Sequence, residues 1–239
     1  MALVWLLSLA LVGASSAFLQ AYPSIVQVET LQPWGYFEQS CAASILNTRN
    51  VLSAASCFTA SPSLYRIRAG AERRHTGGII NYVERVNNYP RGNSTDLPAG
   101  DISVVRLASP LSYNPLIQRT PIPTPQTYIP NGLTLAQGGW GRGNFSSSLS
   151  VSLVRTVSGN HCGINLPTNQ TTFNSTANLL CGTLISGLNS TNTDGGSPWF
   201  FGNITVGVVS GLDYGNTSWS HIVATPVASF TNWIIRTAV

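Results

Sequence analysis

The sequence predicts an all-β protein, a sandwich or barrel, closed by one short helix. Three observations carry that prediction. Short runs rich in Val, Ile, Leu and Thr recur from residue 24 to residue 225, each broken by Gly, Pro or Asn. A Pro-rich connector at residues 110–130 separates an earlier set of runs from a later one. Only after Pro226 does the apolar spacing turn helical, with Val227, Phe230, Trp233 and Ile234 recurring along one face.

The elements follow in order. Residues 24–31, S-I-V-Q-V-E-T-L, alternate in the period of a strand and are rich in β-branched side chains. Residues 44–46 and 50–53 form a strand pair around Asn47-Thr48-Arg49. Residues 65–69, 78–86 and 102–107 continue the pattern. Beyond the connector, strands are expected at 133–137, 149–157, 178–184, 204–210 and 221–225.

At 239 residues the chain can bury a good core as one large domain or two small ones. Apolar residues make up 43%, but charged residues only 8%, far below the usual quarter or so. Ser, Thr, Asn, Gln and Gly must therefore wet most of the surface. The net charge is +4, yet no basic run is longer than Arg73-Arg74. That excludes a nucleic-acid or anionic-membrane footprint. All 12 basic residues are Arg and none is Lys. Compositional drift is one reading. The physical one is an alkaline medium, since Lys titrates near ~10.4 while Arg stays charged beyond about 12.

Residues 1–17 read as a secretory signal peptide: 3–12 are nearly all apolar and Ser15-Ser16-Ala17 offers small residues for cleavage. The leader has no Lys or Arg. Its apolar run falls short of the ~20 residues a membrane span needs, so no membrane role is expected and the mature chain is taken to begin near Phe18. Secretion suits the sequons at Asn93, Asn144, Asn169, Asn174, Asn189, Asn203 and Asn216, about half of which are expected to carry glycans. It also permits disulfides. Four cysteines allow three pairings, and the sequence alone does not choose among them.

Several motifs share one order. Cys41-Ala-Ala-Ser-Ile-Leu precedes Val51-Leu-Ser-Ala-Ala-Ser-Cys57. Asp101-Ile-Ser-Val-Val-Arg-Leu107, Gly139-Trp-Gly141, Thr193-Asp-Gly-Gly-Ser-Pro198 and Gly207-Val-Val-Ser210 follow. They resemble, in turn, the C-G-G-S-L-I, V-L-T-A-A-H-C, D-I-A-L-L-R-L, G-W-G, G-D-S-G-G-P and G-I-V-S segments of the chymotrypsin/trypsin-like serine proteases. The resemblance spans residues 22–239. It implies two antiparallel β-barrels, about 18–115 and about 116–239, with a C-terminal helix and a cleft between the barrels. It also implies the disulfides Cys41–Cys57 and Cys162–Cys181, each loop contributing roughly 3 kcal/mol on closure. The Lys-free composition is similar to that of the family's digestive members in caterpillar guts.

The chemistry does not follow the fold. The family needs a Ser nucleophile, a His base and an Asp that orients the His. By the resemblance, Ser56 occupies the His position, Gly195 the Ser position, and only Asp101 is retained. Losing such residues removes on the order of a millionfold in rate. Thr193 stands where a glycine supplies an oxyanion-binding N–H, and Asn189 where trypsins carry the pocket-floor Asp. Gly211-Leu212 replaces a W-G wall, and Thr191 and a residue near Asn216 replace a bracing disulfide. Nothing like R-I-V-G-G precedes Tyr22, so Asp194 is expected to lack its usual cationic partner and its loop to be zymogen-like or collapsed. Ser56 and Ser210 are expected to hydrogen-bond Asp101.

Ser197 is the one candidate for a relocated nucleophile. His75, His161 and His221 lie off the catalytic positions and are expected to be structural or solvent-facing. Scattered His and unclustered carboxylates argue against a metal, and no cofactor is expected. The expected protein is a secreted monomer, a non-catalytic homologue in an alkaline gut lumen, partnered by protease inhibitors or active proteases. The alternatives are a serine endopeptidase with rearranged residues and a structural secretory glycoprotein.

Overall fold

The structure is a computed structural model that describes residues 19–90, 100–141, 147–162, 179–186, 193–210 and 221–239. The signal-peptide reading therefore lies outside the described residues. The first barrel comprises β1 (Ile25–Leu31), β2 (Phe37–Ile45), β3 (Asn50–Ser53), β4 (Tyr65–Ala69), β5 (Ile79–Asn88) and β6 (Ser103–Leu107). They close in the order β1-β2-β3-β6-β5-β4, all neighbours antiparallel. The second barrel comprises β7 (Thr134–Gly139), β8 (Ser150–Val157), β9 (Leu180–Ser186), β10 (Pro198–Phe201), β11 (Ile204–Val209) and β12 (His221–Pro226). Its order is β10-β11-β12-β9-β8-β7. Closure leaves no unpaired strand edge.

Two strands differ from the sequence reading. β2 starts at Phe37, seven residues before the expected run. Glu38 and Ser40 point to solvent while Gln39 and Cys41 are buried, so the alternation is real but polar on both faces. β10 was not expected at all. It begins on a proline inside a Gly-rich segment, yet buries Trp199 and Phe200. A proline is tolerated there because it is the first residue of the strand.

Each barrel has its own apolar filling. Val26, Val28, Leu52, Ile67 and Val104 fill the first; Leu135, Val154, Trp199, Val206 and Ile222 fill the second. A third cluster, Leu19, Ile25, Ala42, Trp140, Leu149 and Phe200, lies on the seam between them. Tyr22 stacks on Phe200 there at 5.0 Å. The C-terminal helix α1 (Thr231–Thr237) follows a 3-10 turn at Val227–Ser229. Val227, Phe230 and Ile234 pack into the first barrel's cluster, and Tyr89 meets Phe230 and Trp233 edge-on. The chain thus ends by strapping the second barrel to the first. Both disulfides are formed, Cys41–Cys57 and Cys162–Cys181.

A second strap runs the other way. The hairpin between β4 and β5 reaches across the seam: Arg74 N–H donates to Ser147 O, Leu149 N–H to Glu72 O, and the Trp140 indole to Glu72 O. Gln27, buried on β1, anchors the base of the hairpin by donating to Arg73 O and accepting from His75 N–H. No helix among the described residues is long and apolar enough to cross a membrane.

Candidate functional site

Three segments converge on the carboxyl group of Asp101. After β3 the backbone turns into a 3-10 turn, Ala55–Cys57, pinned by the Cys57 disulfide to β2. That turn aims both the N–H and the hydroxyl of Ser56 at Asp101, which immediately precedes Ile102 and β6. Ser56 N–H donates to Oδ1 and Ser56 Oγ to Oδ2, each at 2.7 Å. From the second barrel, at the end of β11, Ser210 Oγ donates to Oδ2 at 2.5 Å. Asp101 is fully buried, at 0% exposure. A buried carboxyl needs such donors, and here hydroxyls from both barrels supply them.

The second group of residues is the turn at 193–198. Its path is fixed at both ends by backbone bonds. Ala42 N–H of β2 donates to Gly195 O, Gly196 N–H donates to Val209 O, and Val209 N–H donates to Ser197 O. Gly196 has φ +77°, and a Cβ there would lie 2.2 Å from both Ala42 O and Ser53 Oγ. Only glycine fits. Thr193 is buried beside Asp194. Ser197 Oγ is buried at 0% exposure and has no hydrogen-bond partner among the described residues.

Asp194 is also buried. Its Oδ2 accepts from Trp140 N–H at 2.6 Å and Gly141 N–H at 3.0 Å. Gly139 makes room for it, since a Cβ there would come within 2.8 Å of Oδ2. Burial pushes the Asp194 carboxyl above the usual range. Hydrogen bonds from Trp140 and from the Gln39 side chain, the charge of Arg74, and the bond from Gly141 pull it back in that order. Arg74 is itself lowered by burial and raised by the charges of Asp194 and Glu38. A cationic influence on Asp194 comes from Arg74 on the first barrel's hairpin, 120 residues away in sequence, where spacing gives no sign of it. Gln39 and the Trp140 backbone were missed for the same reason; the sole hint was that Arg73-Arg74 is the chain's one basic doublet.

A cleft of about 490 Å³ opens beside these residues, lined by Gln39, Ser40, Ser56, Thr59, Tyr65 and Asp194 among others. Its walls offer hydroxyls, amides and the Cys41–Cys57 disulfide. Tyr65 Oη accepts from Thr59 and Ala60 N–H and stiffens one rim. Asn189, Thr191, Gly211, Leu212 and Asn216 lie outside the described residues, as do the sequons at Asn93, Asn144, Asn169 and Asn174. Asn203 is described and stands exposed in the tight turn joining β10 to β11. His75 is partly exposed with φ +59° and its Nδ1 is 3.9 Å from Glu29, a buried carboxyl already held by Arg66 and Arg68. The His161 side chain is outside the description, and His221 opens β12. No group of three or more potential metal ligands occurs among the described residues.

The family model described as "Trypsin" matches residues 11–234. The chain belongs to the trypsin family. Among curated members, "Trypsin alpha" of Drosophila melanogaster is 30% identical over 238 residues, covering 95% of this chain and 87% of that one. "Trypsin, alkaline C" of Manduca sexta is 29% identical over 231 residues, covering 94% and 89%. Among solved structures, the trypsin-like fold is shared with a scabies mite inactivated protease paralogue. That match has a TM-score of 0.76 at 21% identity and covers 92% of this chain and 96% of that one. Kallikrein-related peptidase 10 gives a TM-score of 0.70 at 20% identity. These two likenesses concern the fold. Within this trypsin-family frame, Ser56 and Asp194 line the cleft, and Asp101 and Ser210 are bonded together behind Ser56.

Proposed function

We propose that this trypsin-family chain is a non-catalytic homologue whose cleft binds polypeptide without cutting it. The observation that carries the reading is the bond from Ser56 Oγ to Asp101 Oδ2. In a working triad this carboxyl orients an imidazole that takes the nucleophile's proton. Here a serine fills that place and spends its own proton on the acid. Among the described residues no neighbour donates to its hydroxyl, and it has no basicity to offer. Gly195, which stands in the nucleophile's place, has no side chain.

The rearranged-endopeptidase reading requires Ser197 to attack. Its hydroxyl is buried at 0% exposure, and among the described residues no imidazole is hydrogen-bonded to it. A nucleophile needs both access and a base within about 3 Å. What is kept is the frame: a turn bonded to both barrels and an open polar cleft. Such a surface suits the extended binding loop of a protein protease inhibitor. We place the protein outside the cell, in an alkaline lumen. Support comes from the Lys-free sequence, the apolar leader, the two disulfides and relatives named alkaline trypsins.

Immobilised protein inhibitors of trypsin are expected to retain the purified chain, and substitution of Gln39 and Ser40 in the cleft wall by Arg is expected to release it. If neither inhibitors nor active trypsins retain it, the binding role falls and a bulk secretory glycoprotein is left.

A further inference from the structure

We propose that Arg74 is the positioning residue of the 193–197 turn: an internal cation, delivered by the first barrel's hairpin, that holds Asp194 in place from the opposite face of the Trp140 backbone. In the family resemblance that task falls to a terminal amine freed by cleavage, and in this chain it is written into the fold.

The geometry is a relay through one residue. Trp140 N–H donates to Asp194 Oδ2 at 2.6 Å, and Trp140 C=O accepts from Arg74 Nη2 at 2.8 Å. Trp140 is itself immobilised, fully buried with its indole bonded to Glu72 of the same hairpin. The Arg74 backbone is anchored, its N–H bonded to Ser147 O beside the Arg73–Ser148 bridge, and the guanidinium is held by its bond to Trp140 O. Guanidinium and carboxyl thus sit on the two ends of one residue's backbone dipoles, each at the end of opposite sign. The positive field falls on a carboxyl whose burial disfavours its charge, where Coulomb terms are least screened. Among the described residues the charged groups around the pair are these. Glu38 on β2 also acts on Arg74, Glu72, Arg73 and His75 share its hairpin, and Asp194 faces it from the second barrel.

The inference makes a signed pH prediction. Removing Arg74 removes an influence that lowers the Asp194 pKa, so the folded value climbs further above the unfolded one, about 3.9. A carboxyl raised by folding costs stability as pH rises from the unfolded value through the folded one. The deficit of Arg74→Met is therefore expected to be small at pH 4 and to grow towards pH 8. A lost hydrogen bond to Trp140 alone would cost the same at both.

Thermal unfolding of the secreted chain at pH 4, 8 and 11 tests this. Arg74→Met is expected to lower Tm by several degrees more at pH 8 than at pH 4. Arg74→Lys should recover most of the loss at pH 8 but not at pH 11, where lysine has given up its proton and arginine has not. In an Asp194→Asn background the pH-dependent part should shrink to what Glu38 contributes. Should Arg74→Met fail to fold, Arg74→Lys against the wild type at pH 8 and 11 still reads the charge. A deficit that is equal at pH 4 and 8, or that persists unchanged with Asp194→Asn, overturns the proposal, as does a Tm unaltered by Arg74→Met.

Discussion

Gly196→Ala is expected to destabilise the protein by about 4 kcal/mol, read as a fall in the urea midpoint with an unchanged slope. Two costs add. At φ +77° an L side chain sits in the left-handed region, worth roughly 1–3 kcal/mol. The new methyl also lands 2.2 Å from Ala42 O and from Ser53 Oγ. Neither can step aside: Ala42 O is backbone of β2, and Ser53 Oγ is hydrogen-bonded to that same oxygen at 2.7 Å. Overpacking of this kind costs a further 1–3 kcal/mol or so. Gly202→Ala is the control. Its φ is +62° but nothing lies within 4 Å of the added Cβ, so it is expected to cost about 1 kcal/mol, the backbone part alone. Equal effects at the two sites would show that the steric argument is wrong.

The second large effect is expected at Asp101. Asp101→Ala strips the acceptor from Ser56 N–H, Ser56 Oγ and Ser210 Oγ at once, with Ser210 buried and Ser56 half-buried. Orphaned donors and a lost charge-assisted network together are worth about 4 kcal/mol, or roughly 10 °C in Tm for a chain of this length. Ser56→Ala removes one hydroxyl donor and leaves Ser210 on the same oxygen, so about 1 kcal/mol is expected. The contrast bears on function. If Asp101 served chemistry, its loss would abolish an activity and spare the fold; on the proposed reading it is expected to damage the fold instead.

How much of this was legible in the sequence depends on the range of the interaction. Strands such as β4 and β8 follow from residues within a few positions, where alternation and turn residues suffice. β10 was invisible because Pro198 and the preceding glycines mask a strand whose reason for existing is the burial of Trp199 and Phe200 against distant partners. The Ser56–Asp101–Ser210 contacts were readable because ordered motifs placed those residues in a family frame before any coordinates. Arg74 was not readable. Its role comes from a hairpin crossing the seam between barrels, and no local pattern encodes where a long side chain ends up.

The same distinction applies to the turn at 193–198. The bonds that shape the turn at 193–198 are backbone bonds and those of the Asp194 carboxyl, all indifferent to whether residue 195 carries a hydroxyl. Asp101 needs donors, and serine meets that need as well as imidazole does. The fold therefore constrains Gly196, Gly139 and Asp101 far more than it constrains the two positions on which catalysis depends.

The most direct test is to expose the purified chain to a serine-directed fluorophosphonate, and separately to ester and peptide substrates, at neutral and alkaline pH. A chain whose acid is capped by Ser56 and whose buried Ser197 has no hydrogen-bond partner among the described residues is expected to take up no stoichiometric label and to turn over nothing above buffer. A one-to-one adduct with matching turnover, both lost in Ser197→Ala, would contradict the account.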